Sequence, residues 1–340
     1  MALTGATAGP SNGQPLTVWA VSDGRAGIES QVLGLAEAVA RLTPAVVESK
    51  RLKFKGFLGR LPTPLQLSPR SLLAADSAKM EPPWPDLWIG AGRAAVTFAL
   101  CFRGWSKGGT FVVQVQDPRW PARMFDLIIP PRHDRVTGPF AFPITGSPHR
   151  ITLERLKAEL KLFEKDLNGL SSPKAAVLIG GKSKAHDLPP SRAIAMAEEI
   201  ALAVGRAGGS VLATFSRRTP HAARELMAHR LKQLPGIVWD GEGPNPYFAF
   251  LAAADHILVT EDSANMATEA AATGKPVHIL KMDGRGAAKF DRLHAELRAL
   301  GAARPFNGEL DSWAYAPLNE TERAAREILR RMAARVRPAT

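Results

Sequence analysis

Short apolar runs alternate with amphipathic, alanine-rich segments along most of this chain. The runs are too short for helices and contain many β-branched residues, so we predict that they are buried strands and that the segments between them are helices. Near-continuous apolar strands alternating with helices are typical of parallel sheets covered on both faces. The predicted strands are Leu16–Val21, Ala45–Glu48, Asp86–Ile89, Phe111–Val115, Asp126–Ile129, Ala175–Ile179, Val211–Phe215, Ile237–Trp239, His256–Thr260 and Val277–Leu280.

A polar helix predicted over Leu153–Asn168 separates the first five strands from the rest. Gly169 ends it, and Ser171-Ser172-Pro173 follows, which is typical of a domain boundary. We therefore predict an α/β protein with two doubly wound domains. The predicted segments are a disordered lead-in (1–14), a first domain (15–150), a linker helix (151–172), a second domain (173–305) and a C-terminal segment with a basic amphipathic helix (306–340).

The charge balance indicates anionic partners. Lys and Arg number 44 against 32 Asp and Glu, a net charge of +12, which suits phosphates, nucleic acid or an acidic membrane face. Cys101 is the sole cysteine, which excludes a disulfide framework and a CxxC metal site. The chain has no apolar stretch of about 18 residues that would span a membrane. Its first 14 residues do not resemble a secretory signal. We expect a cytoplasmic protein, with any membrane contact peripheral and at the inner membrane.

The loops that follow the strands are where a ligand is expected, since parallel sheets bind ligands beyond the carboxyl ends of their strands. Gly180-Gly181-Lys182 follows one strand, and its two glycines would let backbone amides approach a phosphate. Arg217 and Arg218 follow another and can hold a diphosphate bidentately. A solvated glycine turn and surface arginines are the alternatives.

The stretch from Thr260 to Glu269 joins a strand to a helix. Ser263 can cap that helix, and Glu269 lies about two turns into it. The alternative is an ordinary N-cap with acidic neighbours and a solvated Glu269.

The first half carries candidate residues at the corresponding places. Asp23 can act as a general base for a hydroxyl acceptor, and Gly24-Arg25 beside it can admit a ligand. A glycine turn capped by Asp23 is the alternative. The remaining candidates are Gly90 and Gly92, which allow close backbone approach or tight packing, Asp117, which ends a strand, and His133, an acid/base or simply an exposed loop histidine.

The segment Arg51–Leu67 interleaves basic and aromatic residues. It can lie on an anionic membrane surface, or pack its apolar residues inward and leave its cations solvated. No nucleic-acid-binding module accompanies the charge, so we expect no nucleic acid partner. No residue spacing predicts a metal site.

Two resemblances extend these predictions. The segment Val259–Val277 (VTEDSANMATEAAATGKPV) resembles the nucleotide-sugar motif in the second domain of GT-B glycosyltransferases. A second resemblance rests on Val21–Ala38, Val115–Arg119, Leu127–Asp134, Leu178–Gly181 and Thr260–Ala270. Through these stretches, the chain as a whole resembles the mitochondrial-fission "elongated mitochondria" family.

The resemblance implies two facing Rossmann-like domains, a C-terminal helix that crosses back to the first, and a nucleotide sugar as substrate with no cofactor. Gly180, Gly181 and Arg217 would face the donor diphosphate, and Glu269 would hold the ribose hydroxyls. Ser263, Ala264 and Asn265 would lie near phosphate or sugar, and the Asp23 loop would meet the acceptor. Glu261-Asp262 departs from the neutral turn of many GT-B enzymes.

The predicted function is metal-independent transfer of a sugar to an envelope or lipid-linked acceptor, with Asp23 or His133 as the base. A nucleotide-sugar 2-epimerase, which needs no acceptor, is one alternative. The other is a non-catalytic adaptor that recruits a dynamin-like fission protein to a membrane, as the resemblance implies for plant members.

Overall fold

The computed structural model describes residues 14–56 and 69–336, which divide into two compact units. One unit runs to Arg150 and resumes at Asn319, and the other is Ile151–Leu318. The predicted lead-in, apart from Gln14, and residues 57–67 of the predicted membrane segment lie outside the described residues.

The elements of the first unit are β1 (Leu16–Ser22), α1 (Ala26–Leu42), β2 (Ala45–Arg51), β3 (Leu87–Ala91), α2 (Gly92–Trp105), β4 (Phe111–Val115), β5 (Leu127–Ile129) and α10 (Glu320–Val336). Its strands form a parallel sheet of order β2-β1-β3-β4-β5. One-turn 3-10 helices at Pro69–Leu72, Ala122–Met124 and Arg132–Asp134 lie in its connections.

Alternate strand residues of this sheet enter two separate cores, as a doubly covered sheet requires. Val18 and Ile89 pack with α1 on one face, whereas Trp19 and Trp88 pack with α2 on the other. Helix α10 buries Ala324 and Ile328 in the α1 core. The chain therefore returns to the first unit at its C-terminal helix, as predicted.

The elements of the second unit are α3 (Leu153–Leu162), α4 (Glu164–Leu167), β6 (Lys174–Ile179), α5 (Pro190–Arg206), β7 (Ser210–Phe215), α6 (His221–Leu231), β8 (Gly236–Val238), α7 (Tyr247–Ala253), β9 (His256–Thr260), α8 (Ala264–Ala271), β10 (Val277–Leu280), α9 (Ala288–Ala299) and β11 (Ala303–Pro305). Its strands form a parallel sheet of order β11-β10-β9-β6-β7-β8. Leu178 and Val259 face a core with α7 and α8, and Val177 and Leu258 face one with α5 and α6.

The predicted α/β class with parallel sheets is confirmed, and three local features differ from expectation. The polar helix is broken at Phe163 into α3 and α4, and it packs on α7 inside the second unit rather than standing alone as a linker. Helix α7 was not expected, because it is short and apolar throughout. Strand β11 follows the strand predicted to be the last.

Candidate functional site

The predicted donor-side residues meet at one edge of the second sheet. All strands of this sheet are parallel, so the loops after β6, β7 and β9 leave it at the same carboxyl edge. Gly180-Gly181-Lys182 follows β6, Arg217-Arg218 follows β7, and Asp262-Ser263 joins β9 to α8. Strand β6 pairs with both β7 and β9, so the three loops are neighbours.

The Gly180-Gly181 pair is packed tightly against its neighbours. The Gly180 amide donates to Thr260 Oγ1 at 2.7 Å, and the Gly181 amide donates to Asp262 Oδ2 at 3.1 Å. A Cβ on Gly180 would overlap the Asp262 carboxylate, and one on Gly181 would overlap the Arg218 carbonyl. Both amides therefore donate their hydrogen bonds to side chains of the protein and not to a ligand. Close packing explains why glycine is required at both positions.

Asp262 is the residue that joins these loops. Its side chain is fully buried and accepts from Thr260 Oγ1 at 2.7 Å, from the Gly181 amide, and from Arg218 Nη2 at 2.6 Å. The arginine neutralises the carboxylate, so this acidic turn is compatible with a nearby anion. The sequence predicts a ligand for Arg218, whereas the structure pairs its guanidinium with Asp262.

Two lysines near this edge are paired with carboxylates. Lys182 Nζ lies 2.7 Å from Asp187 Oδ2, and Lys281 Nζ lies 3.0 Å from Glu261 Oε2. Arg217 is exposed and makes no side-chain hydrogen bond or ion pair with any described residue. Arg217 is therefore the guanidinium of this turn that is open to a ligand.

Helix α8 carries the remaining predicted donor residues. Ser263 caps it, with Oγ accepting from the Met266 amide at 3.3 Å, and Ala264 and Asn265 in the first turn are partly exposed. Glu269 is only 7% exposed and its Oε2 accepts from the Tyr247 hydroxyl at 2.6 Å. The alternative of a solvated Glu269 is therefore excluded.

Tyr247, from the unpredicted helix α7, is held as a hydrogen-bond donor. Burial first, and then the charge of Glu269, raise the pKa of the phenol well above its usual value of 10.0. The hydroxyl thus stays protonated and orients the carboxylate.

At the carboxyl edge of the first sheet, the structure brings three predicted residues together. Arg25 Nη2 lies 2.7 Å from Asp23 Oδ2. Gly92 has φ +79°, and a Cβ there would lie 3.5 Å from the same Asp23 oxygen. Gly24 also has a positive φ, of +76°. The two glycines thus adopt backbone conformations that residues with a side chain rarely adopt.

The other first-unit candidates occupy different surroundings. A Cβ on Gly90 would lie 2.6 Å from Trp88 Nε1, so this glycine serves packing inside β3. Asp117 Oδ1 accepts from the Arg119 amide at 2.8 Å in the loop after β4. His133 is buried rather than exposed, and its Nε2 lies 3.9 Å from Asp134 Oδ1.

In the described part of the segment Arg51–Leu67, the basic side chains pair with other residues of the protein. Arg51 pairs with Glu29 at 2.5 Å, and Lys53 pairs with Asp76 at the same distance. Phe54 packs in the α2 core. In these residues the inward-packed alternative fits the structure, and the rest of the segment lies outside the described residues.

The described residues lack a metal-ion cluster and a membrane-spanning helix. No group of three or more His, Cys, Asp or Glu side chains is placed to hold a metal ion. None of the described helices is long and apolar enough to cross a membrane.

Comparison with solved structures identifies the fold. A putative UDP-N-acetylglucosamine 2-epimerase from Listeria monocytogenes matches with a TM-score of 0.54 and 14% identity, over 94% of this chain and 91% of that one. The UDP-N-acetylglucosamine 2-epimerase from Rickettsia bellii matches with a TM-score of 0.50 and 12% identity, over 95% and 97%. At such identities the likeness is one of fold, and the fold is that of GT-B proteins.

Comparison with known sequences identifies the family. The Mitochondrial fission protein ELM1 of Arabidopsis thaliana is 31% identical, over an alignment that covers 74% of this chain and 65% of that protein. This chain thus spans just under two thirds of that relative's length. The uncharacterized protein RP120 of Rickettsia prowazekii is 28% identical, over an alignment that covers 92% of this chain and 98% of that protein. The profile of the Mitochondrial fission ELM1 family matches residues 26–332, and the chain therefore belongs to that family.

Proposed function

We propose that this protein is a metal-independent glycosyltransferase that uses a nucleotide sugar as donor. The observation that carries the proposal is the buried carboxylate of Glu269. Glu269 lies on α8, the helix that leaves the carboxyl edge of the second sheet, and the Tyr247 hydroxyl orients its carboxylate. A buried carboxylate with a fixed donor on one oxygen is suited to accept hydrogen bonds from a diol such as ribose. The two structural neighbours are named for UDP-N-acetylglucosamine, which is a nucleotide sugar.

The donor diphosphate is assigned to Arg217 and to the first turn of α8. Arg217 is exposed and unpaired among the described residues. Ser263 is the N-cap of α8, which begins at the same carboxyl edge of the sheet. The guanidinium and the positive end of the helix dipole would both stabilise the departing diphosphate. Gly180, Gly181 and Arg218 hold the loops together instead, since each is bonded within the protein.

Asp23 is proposed as the base. Its side chain is 22% exposed against 7% for His133, so Asp23 is the group that an acceptor hydroxyl reaches more readily. The carboxylate takes the hydroxyl proton, the oxygen forms a bond to the anomeric carbon, and the nucleoside diphosphate leaves with the electron pair of the broken C–O bond. The acceptor is proposed to be a lipid-linked or envelope glycan.

Thermal unfolding against a panel of nucleotides and nucleotide sugars tests the donor site. A ligand at 100 times its dissociation constant adds about 2.7 kcal/mol to the free energy of unfolding. We expect one donor class to stabilise the wild-type protein and Glu269→Ala to abolish that shift. Stabilisation that is equal in the two proteins would contradict the assignment of Glu269.

The two tyrosines of the chain provide a matched control. Tyr247→Phe removes the donor to Glu269, whereas Tyr315→Phe removes a hydroxyl that donates to the Lys275 carbonyl at 2.8 Å in the same unit. We expect only Tyr247→Phe to weaken nucleotide-sugar binding, by about tenfold for one charge-assisted hydrogen bond.

The alternative functions predict different results in turnover and thermal unfolding assays. An epimerase, the activity for which both structural neighbours are named, converts the donor sugar with no acceptor present. A non-catalytic adaptor is stabilised by none of the nucleotide sugars.

A further inference from the structure

The loops after β4 and β5 of the first unit have an unusual backbone. Strand β4 pairs with β5 in parallel, with Val115 opposite Ile129, so the two loops leave the carboxyl edge side by side. Of the four non-glycine residues with positive φ in the described chain, three lie in these loops. They are Gln116 (+70°), Arg119 (+51°) and Arg135 (+59°). Such conformations cost about 1–3 kcal/mol each and cluster at functional sites.

Hydrogen bonds hold this strained backbone in place. The Gln116 amide donates to the Ile129 carbonyl at 3.0 Å, and its side-chain Nε2 donates to Gln31 Oε1 at 2.9 Å. The Arg119 amide donates to Asp117 Oδ1 at 2.8 Å, and the Arg132 amide donates to the Ile144 carbonyl at 2.8 Å. The loops are therefore fixed before any ligand arrives.

The arginine side chains on these loops are not fixed. Arg119, Arg132 and Arg135 are exposed and have no side-chain hydrogen bond or ion pair with the residues that the structure describes. Elsewhere on the same edge the arginines are paired, as Arg25 is with Asp23 and Arg51 with Glu29. Rigid, strained loops thus present guanidinium groups that the protein itself does not neutralise.

We propose that Arg119 and Arg132 bind a phosphate ester carried by the acceptor. This inference rests on the proposed function, because it places the anion at the same sheet edge as Asp23. Guanidinium groups bind phosphate oxygens bidentately, and a phosphate dianion accepts from more than one of them. The phosphate belongs either to a lipid-linked acceptor or to a soluble sugar phosphate.

Calorimetric titration with inorganic pyrophosphate tests the proposal. We expect Arg119→Gln/Arg132→Gln to weaken binding at the first-unit site by about 100-fold, tenfold for each guanidinium. Arg123→Gln is the matched control, because Arg123 is likewise exposed and without a side-chain partner among the described residues. It lies in the short helix that leads into β5, at the opposite edge of the sheet, and should leave binding unchanged.

A second double variant controls for the possibility that lost binding is caused by misfolding. Arg119→Gly/Arg132→Gln keeps the left-handed turn at Arg119, since glycine adopts it without strain, and should lose binding to the same extent. Pyrophosphate binding equal to that of the wild type in both double variants would overturn the proposal.

Arg217→Gln separates this inference from the proposed donor site in the second unit. If Arg217→Gln binds pyrophosphate as the wild type does while the Arg119/Arg132 variants lose a site, the donor assignment fails and the acceptor inference stands. The reverse pattern keeps the donor assignment and overturns the acceptor inference.

Two further ligands identify the source of the phosphate. The first is a vesicle of phosphatidylcholine and phosphatidic acid. If the wild type sediments with these vesicles and Arg119→Gln/Arg132→Gln does not, the acceptor is lipid-linked. Competition of glucose 6-phosphate with pyrophosphate indicates a soluble one. Failure of both ligands to depend on Arg119 and Arg132 would overturn the phosphate-ester assignment.

Discussion

Replacing Arg218 by methionine should destabilise the second unit, because it leaves the Asp262 carboxylate without its counter-ion. The Asp262 side chain is fully buried, and among the described residues it would retain two neutral donors, the Thr260 hydroxyl and the Gly181 amide. Breaking a fully buried ion pair costs about 3–5 kcal/mol, and an exposed pair contributes about 0–1 kcal/mol. The Arg218 side chain is 45% exposed, so we expect an intermediate loss of about 2–3 kcal/mol.

Calorimetric or fluorescence-detected thermal unfolding measures this loss. For a unit of this size, about 2–4 °C are lost per kcal/mol, so the transition should fall by about 4–12 °C. Arg217→Met is the adjacent control and should change the free energy of unfolding by less than about 0.5 kcal/mol. Asp262→Asn combined with Arg218→Met should recover part of the loss, because the buried charge is removed along with its partner.

The result that would refute this reasoning is an equal effect of Arg217→Met and Arg218→Met on stability. The same two variants separate folding from binding. Under the proposed function, Arg217→Met loses affinity for the donor diphosphate at unchanged stability. Arg218→Met is expected to show the converse.

Two further predictions concern local packing and pH. Gly180→Ala forces a Cβ into the Asp262 carboxylate and should cost about 1–3 kcal/mol in urea unfolding, whereas Gly205→Ala, with open space at its Cβ, should not destabilise. Burial lowers the pKa of His149 from 6.5 to about 4, so the unfolded chain binds the proton more tightly than the folded one. The contribution of neutral His149 to the free energy of unfolding is fully present above pH 6.5. It decreases by roughly 3 kcal/mol as the pH falls towards about 4. In His149→Gln, the free energy of unfolding measured in urea should therefore change less with pH over this range.

The sequence pattern predicts the strands better than the short connecting elements. Phe111–Val115, His256–Thr260 and Val277–Leu280 have the predicted bounds, because each is a short apolar run rich in β-branched residues. Strand β11 ends at Pro305 and is only three residues long, so it lacks any such pattern. Helix α7 has seven residues and no polar face, so neither it nor the Tyr247 hydrogen bond to Glu269 could be predicted.

The site depends on which strands become neighbours, and periodicity does not carry that information. Strand β6 lies between β9 and β7, which brings Gly181 and Arg218 to Asp262 although Asp262 is far from both in sequence. The sequence predicts a ligand for the two glycines, for Arg217 and Arg218 and for Glu269, and marks Glu261-Asp262 only as a departure from the GT-B turn. The structure divides them, with Asp262 and Arg218 bonded to each other and Arg217 left exposed.

The most direct test of the central claim is release of nucleoside diphosphate from the nucleotide sugar that stabilises the protein, measured with and without a membrane-lipid extract as acceptor. We predict release that requires the extract and that falls by at least about 100-fold in Asp23→Asn, as expected for loss of a general base. Loss of release in Glu269→Ala at unchanged folding would support the donor site. Acceptor-independent conversion of the sugar, or no turnover of any nucleotide sugar by the folded wild-type protein, would contradict the account.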